Sequence, residues 1–217
     1  MKYLKYTHRL LFICCITIGV STLISCSKDK VKVDDDVISK AGITMKVNGE
    51  NWESSMTTLL SEEQEKDELG EYHFVSIVGS RVINKNSQTE DDMAESVTMF
   101  IAIPASKFRN PKGTYPVVWE SAAKLSQSTA IFASASTLLD AETYVPAQKG
   151  QSGTVEITGF EIGDQKVMGH PTGTEGYTKL SGTFSMDLRP LNNVDSGKPL
   201  KITEGKFNLS GGLGFQH

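Results

Sequence analysis

The sequence predicts an all-β fold, a single antiparallel β-sandwich or flattened β-barrel of about eight to ten strands. Three observations lead there. Apolar residues recur with period two in segment after segment. Turn signals built from Asn-Gly and Asn-Pro pairs separate those segments. No capped apolar stripe of period 3.6 runs through the body of the chain.

Taken in order, Ile43, Met45 and Val47 alternate with Thr44 and Lys46, and Asn48-Gly49 follows. Asn-Gly suits a type I′ hairpin, which needs positive φ at both central positions, and it sets Met45 opposite Trp52. From Glu71 to Arg81, Tyr72, Phe74 and Val78 share one face, while Val75 and Ile77 share the other. Two apolar faces imply a central or twice-covered strand. Val97, Met99, Ile101 and Ile103 alternate cleanly, Asn110-Pro111-Lys112-Gly113 makes a turn, and Tyr115, Val117 and Trp119 alternate after it. The stretch 120–142 fits a strand around Ile131-Phe132 with a short helix at one end as the alternative. Val155 and Ile157 oppose Glu156 and Thr158. Leu180, Gly182, Phe184, Met186 and Leu188 oppose Lys179, Ser181, Thr183, Ser185 and Asp187, a strand with one wet face. Ile202 and Phe207 differ in parity, so one extra residue must intervene, and Gly205 is the natural bulge. The acidic stretch 61–71 and the segment 84–95 read as exposed loops between strands. The insert Met168–Tyr177 also reads as a loop, longer than a tight turn.

The N-terminus has a different character. Lys2, Lys5 and Arg9 precede Leu10–Ser25, sixteen residues without charge. Such a helix rises roughly 24 Å, short of the ~30 Å hydrocarbon core, which favours an export signal over a permanent span. The segment ends Leu23-Ile24-Ser25-Cys26, which resembles the bacterial lipobox. That resemblance implies cleavage before Cys26 and acylation of its sulfur and new amine. Residues 1–25 are then a lipoprotein signal peptide, and 26–40 are the lipidated cysteine and a charged tether. Residues 41–217 are one all-β domain. Eight of the fourteen tether residues 27–40 are charged and none is aromatic, so it cannot bury enough surface to order itself. Asp34-Asp35-Asp36 lacks the spaced ligands and turn glycine of a calcium loop. Lys28-Asp29 resembles the charged export signal of Bacteroidetes surface lipoproteins, although Lys30 stands where that pattern prefers an acid. The expected location is the cell envelope, at the outer membrane and facing outward.

Maturation at Cys26 would remove Cys14 and Cys15 and consume Cys26, so no thiol would be left to form a disulfide. It would also remove three basic residues, leaving 19 basic against 26 acidic, a net charge near −7. An acidic body argues against nucleic acid as partner, and the expected state is a monomer held to the membrane by its lipid.

Motifs for chemistry are sparse. His73, His170 and His217 show no metal-ligand spacing, and no G-x-S-x-G elbow supplies a nucleophile. Gly211-Gly212-Leu213-Gly214 has no lysine or helix after it, so no phosphate loop and no cofactor is expected. Of the aromatics, Trp119 shares the parity of Tyr115 and Val117 and reads as core. Tyr144 and Tyr177 adjoin loop residues and are the candidate ligand contacts, as a stacking surface for sugars.

The order Met45-Lys46-Val47-Asn48-Gly49 with Trp52, Gly113-Thr114-Tyr115, Gly153-Thr154-Val155-Glu156-Ile157-Thr158, Leu180-Ser181-Gly182-Thr183-Phe184-Ser185 and Ile202-Thr203-Glu204-Gly205-Lys206-Phe207-Asn208 resembles a family of uncharacterised β-rich Bacteroidetes lipoproteins. The resemblance implies fold and location, and no activity. The expected function is a non-catalytic surface module that binds an extracellular glycan or protein. A structural or accessory envelope lipoprotein is the alternative, and a hydrolase the third class.

Overall fold

A computed structural model describes residues 42–67, 70–83, 93–119, 127–135, 141–167, 170–194 and 197–211. The signal segment, Cys26 and the tether lie outside the described residues. Among the described residues eleven strands follow one another: β1 (Gly42–Val47), β2 (Glu50–Glu53), β3 (Met56–Asp67), β4 (Gly70–Ile83), β5 (Met93–Pro104), β6 (Gly113–Val118), β7 (Thr129–Ala135), β8 (Glu142–Pro146), β9 (Gln151–Val167), β10 (His170–Pro190) and β11 (Leu200–Ser210). Two 3-10 turns, Ala105–Lys107 and Leu191–Asn193, are the helical pieces among the described residues. The fold class is all-β, with one strand more than the upper expectation. Of the Ala- and Ser-rich stretch 120–142, Thr129–Ala135 forms β7 and Glu142 opens β8, while 120–126 and 136–140 lie outside the described residues.

The strands form one large antiparallel sheet, which doubles over into a sandwich and does not close into a barrel. One layer runs β2-β1-β11-β10-β9-β6 and the other β8-β7-β5-β4-β3. The hinge is β10. Its 21 residues are long enough to pair with β9 as far as Met186 and then with β8 from Leu188 to Pro190. β3 packs across the sandwich against β10, β11 and β1. The chain crosses between layers at Ser54-Ser55, where Ser54 donates to the Ile43 carbonyl (2.9 Å) and Ser55 to that of Ser80 (2.8 Å). β6 is an edge strand. The Val118 N–H points away from β9 to the Ser128 carbonyl (3.0 Å), so Pro116, of the same parity, removes a donor from the free side.

The period-two readings hold. Met45 pairs with Trp52 across the Asn48-Gly49 turn, where both residues have positive φ, and both side chains are buried. Val97, Met99, Ile101 and Ile103 are wholly buried, as are Leu180 and Leu188. β4 is buried on both faces, at Phe74 and Val78 as well as Val75 and Ile77. The parity change in β11 is also present: Phe184 pairs with Gly205 and Met186 with Ile202, so Thr203 and Glu204 are two consecutive exposed residues. The left-handed residue is Glu204 (φ 53°) and not Gly205. Gly205 is required for space, since a Cβ there would lie 2.6 Å from the Phe184 ring.

Two loop expectations are corrected. Ser61–Asp67 completes β3, and Glu71 lies in β4; polar residues and a register shift between Ser61 and Gln64 hide the strand period. Residues 170–177 of the insert belong to β10. They pair with β9 as a ribbon, Gly176 facing Gly163 and Tyr177 facing Ile162. Of the segment 84–95, Met93–Glu95 opens β5, while 84–92 lie outside the described residues.

Because residues 41–217 contain no cysteine, a chain beginning at Ala41 is expected to show the same thermal midpoint with and without reductant. Its circular dichroism should be β-dominated. More than roughly one-third helix, the average for globular domains, would contradict the fold.

Candidate functional site

The two candidate tyrosines do not meet. Tyr144 pairs with Pro190 on β10, thirteen residues beyond Tyr177, or about 43 Å of strand. Tyr177 is 1 % exposed, which contradicts its reading as an exposed ligand contact. Its ring packs against Phe108 (centroids 5.2 Å) and edge-on to Phe160 (6.5 Å), and its hydroxyl donates to the Phe108 carbonyl (2.8 Å). Burial raises its pKa. The cause of the misreading is a register shift between Tyr177 and Lys179, which puts Tyr177 on the same inward face as Leu180 despite opposite parity. Tyr144 is half-buried, edge-on to Phe132 at 6.4 Å, with its hydroxyl donating to Glu142 Oε2 (3.0 Å). Burial first, then the Glu142 carboxylate, raises its pKa. Trp119 is half-buried too.

Tyr177 instead anchors the connection between β5 and β6. Tyr115 donates to the Pro111 carbonyl (2.6 Å), and burial pushes its phenol up to about 12. Arg109 grips Glu175 with two hydrogen bonds (2.8 and 2.7 Å). His73 stacks on Phe108 at 4.1 Å, and burial lowers its pKa from 6.5. The fold therefore favours neutral His73, and the unfolded chain takes up its proton first as pH falls. This contribution to stability should be complete above pH 6.5 and decline as pH drops from 6.5 to the lower folded value. Urea titrations of the wild type and His73→Gln across that interval check it. Equal pH slopes for the two chains would contradict it. His170 is exposed, and His217 lies outside the described residues.

A second feature missed from the sequence lies on the inward face near the starts of β2 and β5. Glu95 Oε2 accepts from Trp52 Nε1 and from Arg81 Nε, both at 2.8 Å, and the guanidinium lies 5.4 Å from the Trp52 ring centre. Trp52 is buried, so this network satisfies its indole N–H where the core ends.

Among the described residues, the outer face of the β2-β1-β11-β10-β9-β6 layer carries an open polar depression that can meet a ligand. Strand register sets one residue from each strand in a row across it: Glu53, Thr44, Lys206, Thr183, Glu156 and Thr114. Neighbours in such a row stand about 4.8 Å apart. Ser185 and Thr154 begin a second row. Where β11 bulges, this face sinks into an open depression of about 340 Å³. Phe184 and Gly205 are at its floor, and Thr114, Thr154, Glu156, Thr183, Ser185, Glu204 and Lys206 line it. Lys46 holds Glu204 at 2.7 Å, and Thr183 Oγ1 donates to Glu156 Oε2 at 3.4 Å.

Hydroxyls both donate and accept, carboxylates accept twice, and an ammonium donates three times. Such a lining suits a ligand whose own surface is polar. Glu204 adds a second indication. A left-handed non-glycine residue costs about 1–2 kcal/mol, and such strain concentrates at functional sites. Among the described residues, no group of three His, Cys, Asp or Glu side chains could hold a metal ion. Compared with known proteins, the chain matches no protein-family model, no curated protein and no solved structure.

Proposed function

We propose that the chain is a lipid-anchored envelope lipoprotein whose β-domain binds an extracellular glycan without transforming it. The observation that carries this reading is the strained Glu204 at the rim of a depression lined by hydroxyls, carboxylates and a lysine. Binding residues often sit where a rigid scaffold holds them in an unfavourable local conformation. The anchor is read from the Leu23-Ile24-Ser25-Cys26 block after an apolar run, and the charged tether would hold the domain off the membrane.

A broad glycan array tests the binding. The wild-type chain should give signal, and Thr183→Val with Glu156→Gln should lose it while the thermal midpoint moves little, since both side chains are exposed. No wild-type signal would remove the glycan reading and leave an accessory envelope role ahead. For the anchor, Cys26→Ala should leave uncleaved precursor or a soluble form. Unlipidated wild-type protein in the soluble periplasmic fraction would contradict lipidation. Protease treatment of intact cells should degrade the domain if it faces outward.

A further inference from the structure

We infer that the depression takes a carboxylated sugar, a uronate unit of an acidic glycan, with its carboxylate on the Lys206 ammonium and its vicinal hydroxyls on the Glu156 carboxylate. This rests on the glycan-binding reading of the same site.

The charges on the face point to it. Lys46 is tied to Glu204 at 2.7 Å and Lys179 to Glu161 at 2.8 Å. Lys206 has no ion pair among the described residues. Glu156 has only the long contact from Thr183. The register sets Lys206 on one side of Thr183 and Glu156 on the other, their backbones about 10 Å apart. A lysine without an ion pair among the described residues and a carboxylate held only by one long hydroxyl contact thus flank Thr183, too far apart in the sheet to be direct cross-strand neighbours.

A pyranuronate has the complementary arrangement. Its carboxylate projects from one end of the ring, and two adjacent hydroxyls occupy the other. A glutamate carboxylate accepts from both hydroxyls of such a pair, and a lysine donates to the carboxylate as a charge-assisted bond. Thr183, Ser185 and Thr154 lie between and beside these two and can meet the ring oxygen and remaining hydroxyls. Glu204, the other carboxylate of the depression, is neutralised by Lys46 and so does not repel the anion. Among the described residues that line the site, Phe184 is the one aromatic, and its ring packs in the core with Phe207, which favours hydrogen bonding to the edge of the sugar over stacking on its face. The mature chain would be acidic overall, so a preference for an anion has to be local to Lys206.

The purified full-length chain titrated calorimetrically with galacturonate and glucuronate oligomers, and with their carboxyl-reduced counterparts, tests this. One uronate should bind about tenfold or more tightly than its reduced form, the value of one charge-assisted contact, and high salt should narrow the gap. Lys206→Gln should erase the preference, and Lys206→Arg should keep it. Equal binding of uronate and reduced oligomer by the wild type, or a preference that survives Lys206→Gln, would overturn the inference and leave glycan binding standing. Array binding to neutral glycans with no binding to any of the four oligomers would also overturn the inference alone. No binding to any glycan would overturn both.

Discussion

Gly182→Val is expected to abolish the cooperative folding transition. A Cβ at Gly182 would overlap the Glu156 carbonyl oxygen and lie 2.6 Å from the Phe207 ring. The first of these is backbone of the neighbouring strand, and no rotamer change can relieve it. β9 would have to separate from β10 at the pairing that carries Glu156 and Thr183, so fold and candidate site would be lost together. Overpacking on this scale belongs to the tail of single substitutions above about 4 kcal/mol, against a typical total of 5–15 kcal/mol. Urea unfolding followed by tryptophan fluorescence reads it. A transition within error of wild type would show that the two strands do not approach as closely as described.

Trp52→Ala should cost about 3–5 kcal/mol, the range for deleting a buried large aromatic. Two losses combine. The indole leaves a cavity against Met45, its cross-strand partner, and Glu95 loses a donor while still holding Arg81. Trp52→Phe keeps much of the ring and loses the N–H, so it should fall between the wild type and Trp52→Ala. Equal unfolding midpoints for Trp52→Phe and Trp52→Ala would show that packing at this position contributes little.

How much of this could be read from the chain follows from what alternation encodes. Period two assigns a residue to a face, so Val97 to Ile103 and Leu180 to Leu188 declared their inward sides directly. Even the bulge before Phe207 was legible, because parity fails there. Alternation says nothing about which strands become neighbours. Thr44, Thr114, Glu156, Thr183 and Lys206 stand in one row because β1, β6, β9, β10 and β11 pair in a fixed register. Each looks like an ordinary wet-face residue in its own strand, and the depression was therefore invisible. Tyr177 failed for the opposite reason. Glycine and proline around it read as a loop, and the register shift at Thr178 hid its inward parity. Glu95 reads as part of an acidic loop because nothing local marks a carboxylate that will accept from an indole 43 residues away.

Glycan binding on the outer face of the β11-β10-β9-β6 strands is tested most directly by mapping backbone amide shifts of the chain during titration with a glycan it binds. Binding at the depression predicts perturbations centred on Thr154, Glu156, Thr183, Ser185 and Lys206, with Thr114 at the margin. Shifts centred instead on the exposed His170–Glu175 ribbon, or around Tyr144, with those amides unmoved, would contradict it.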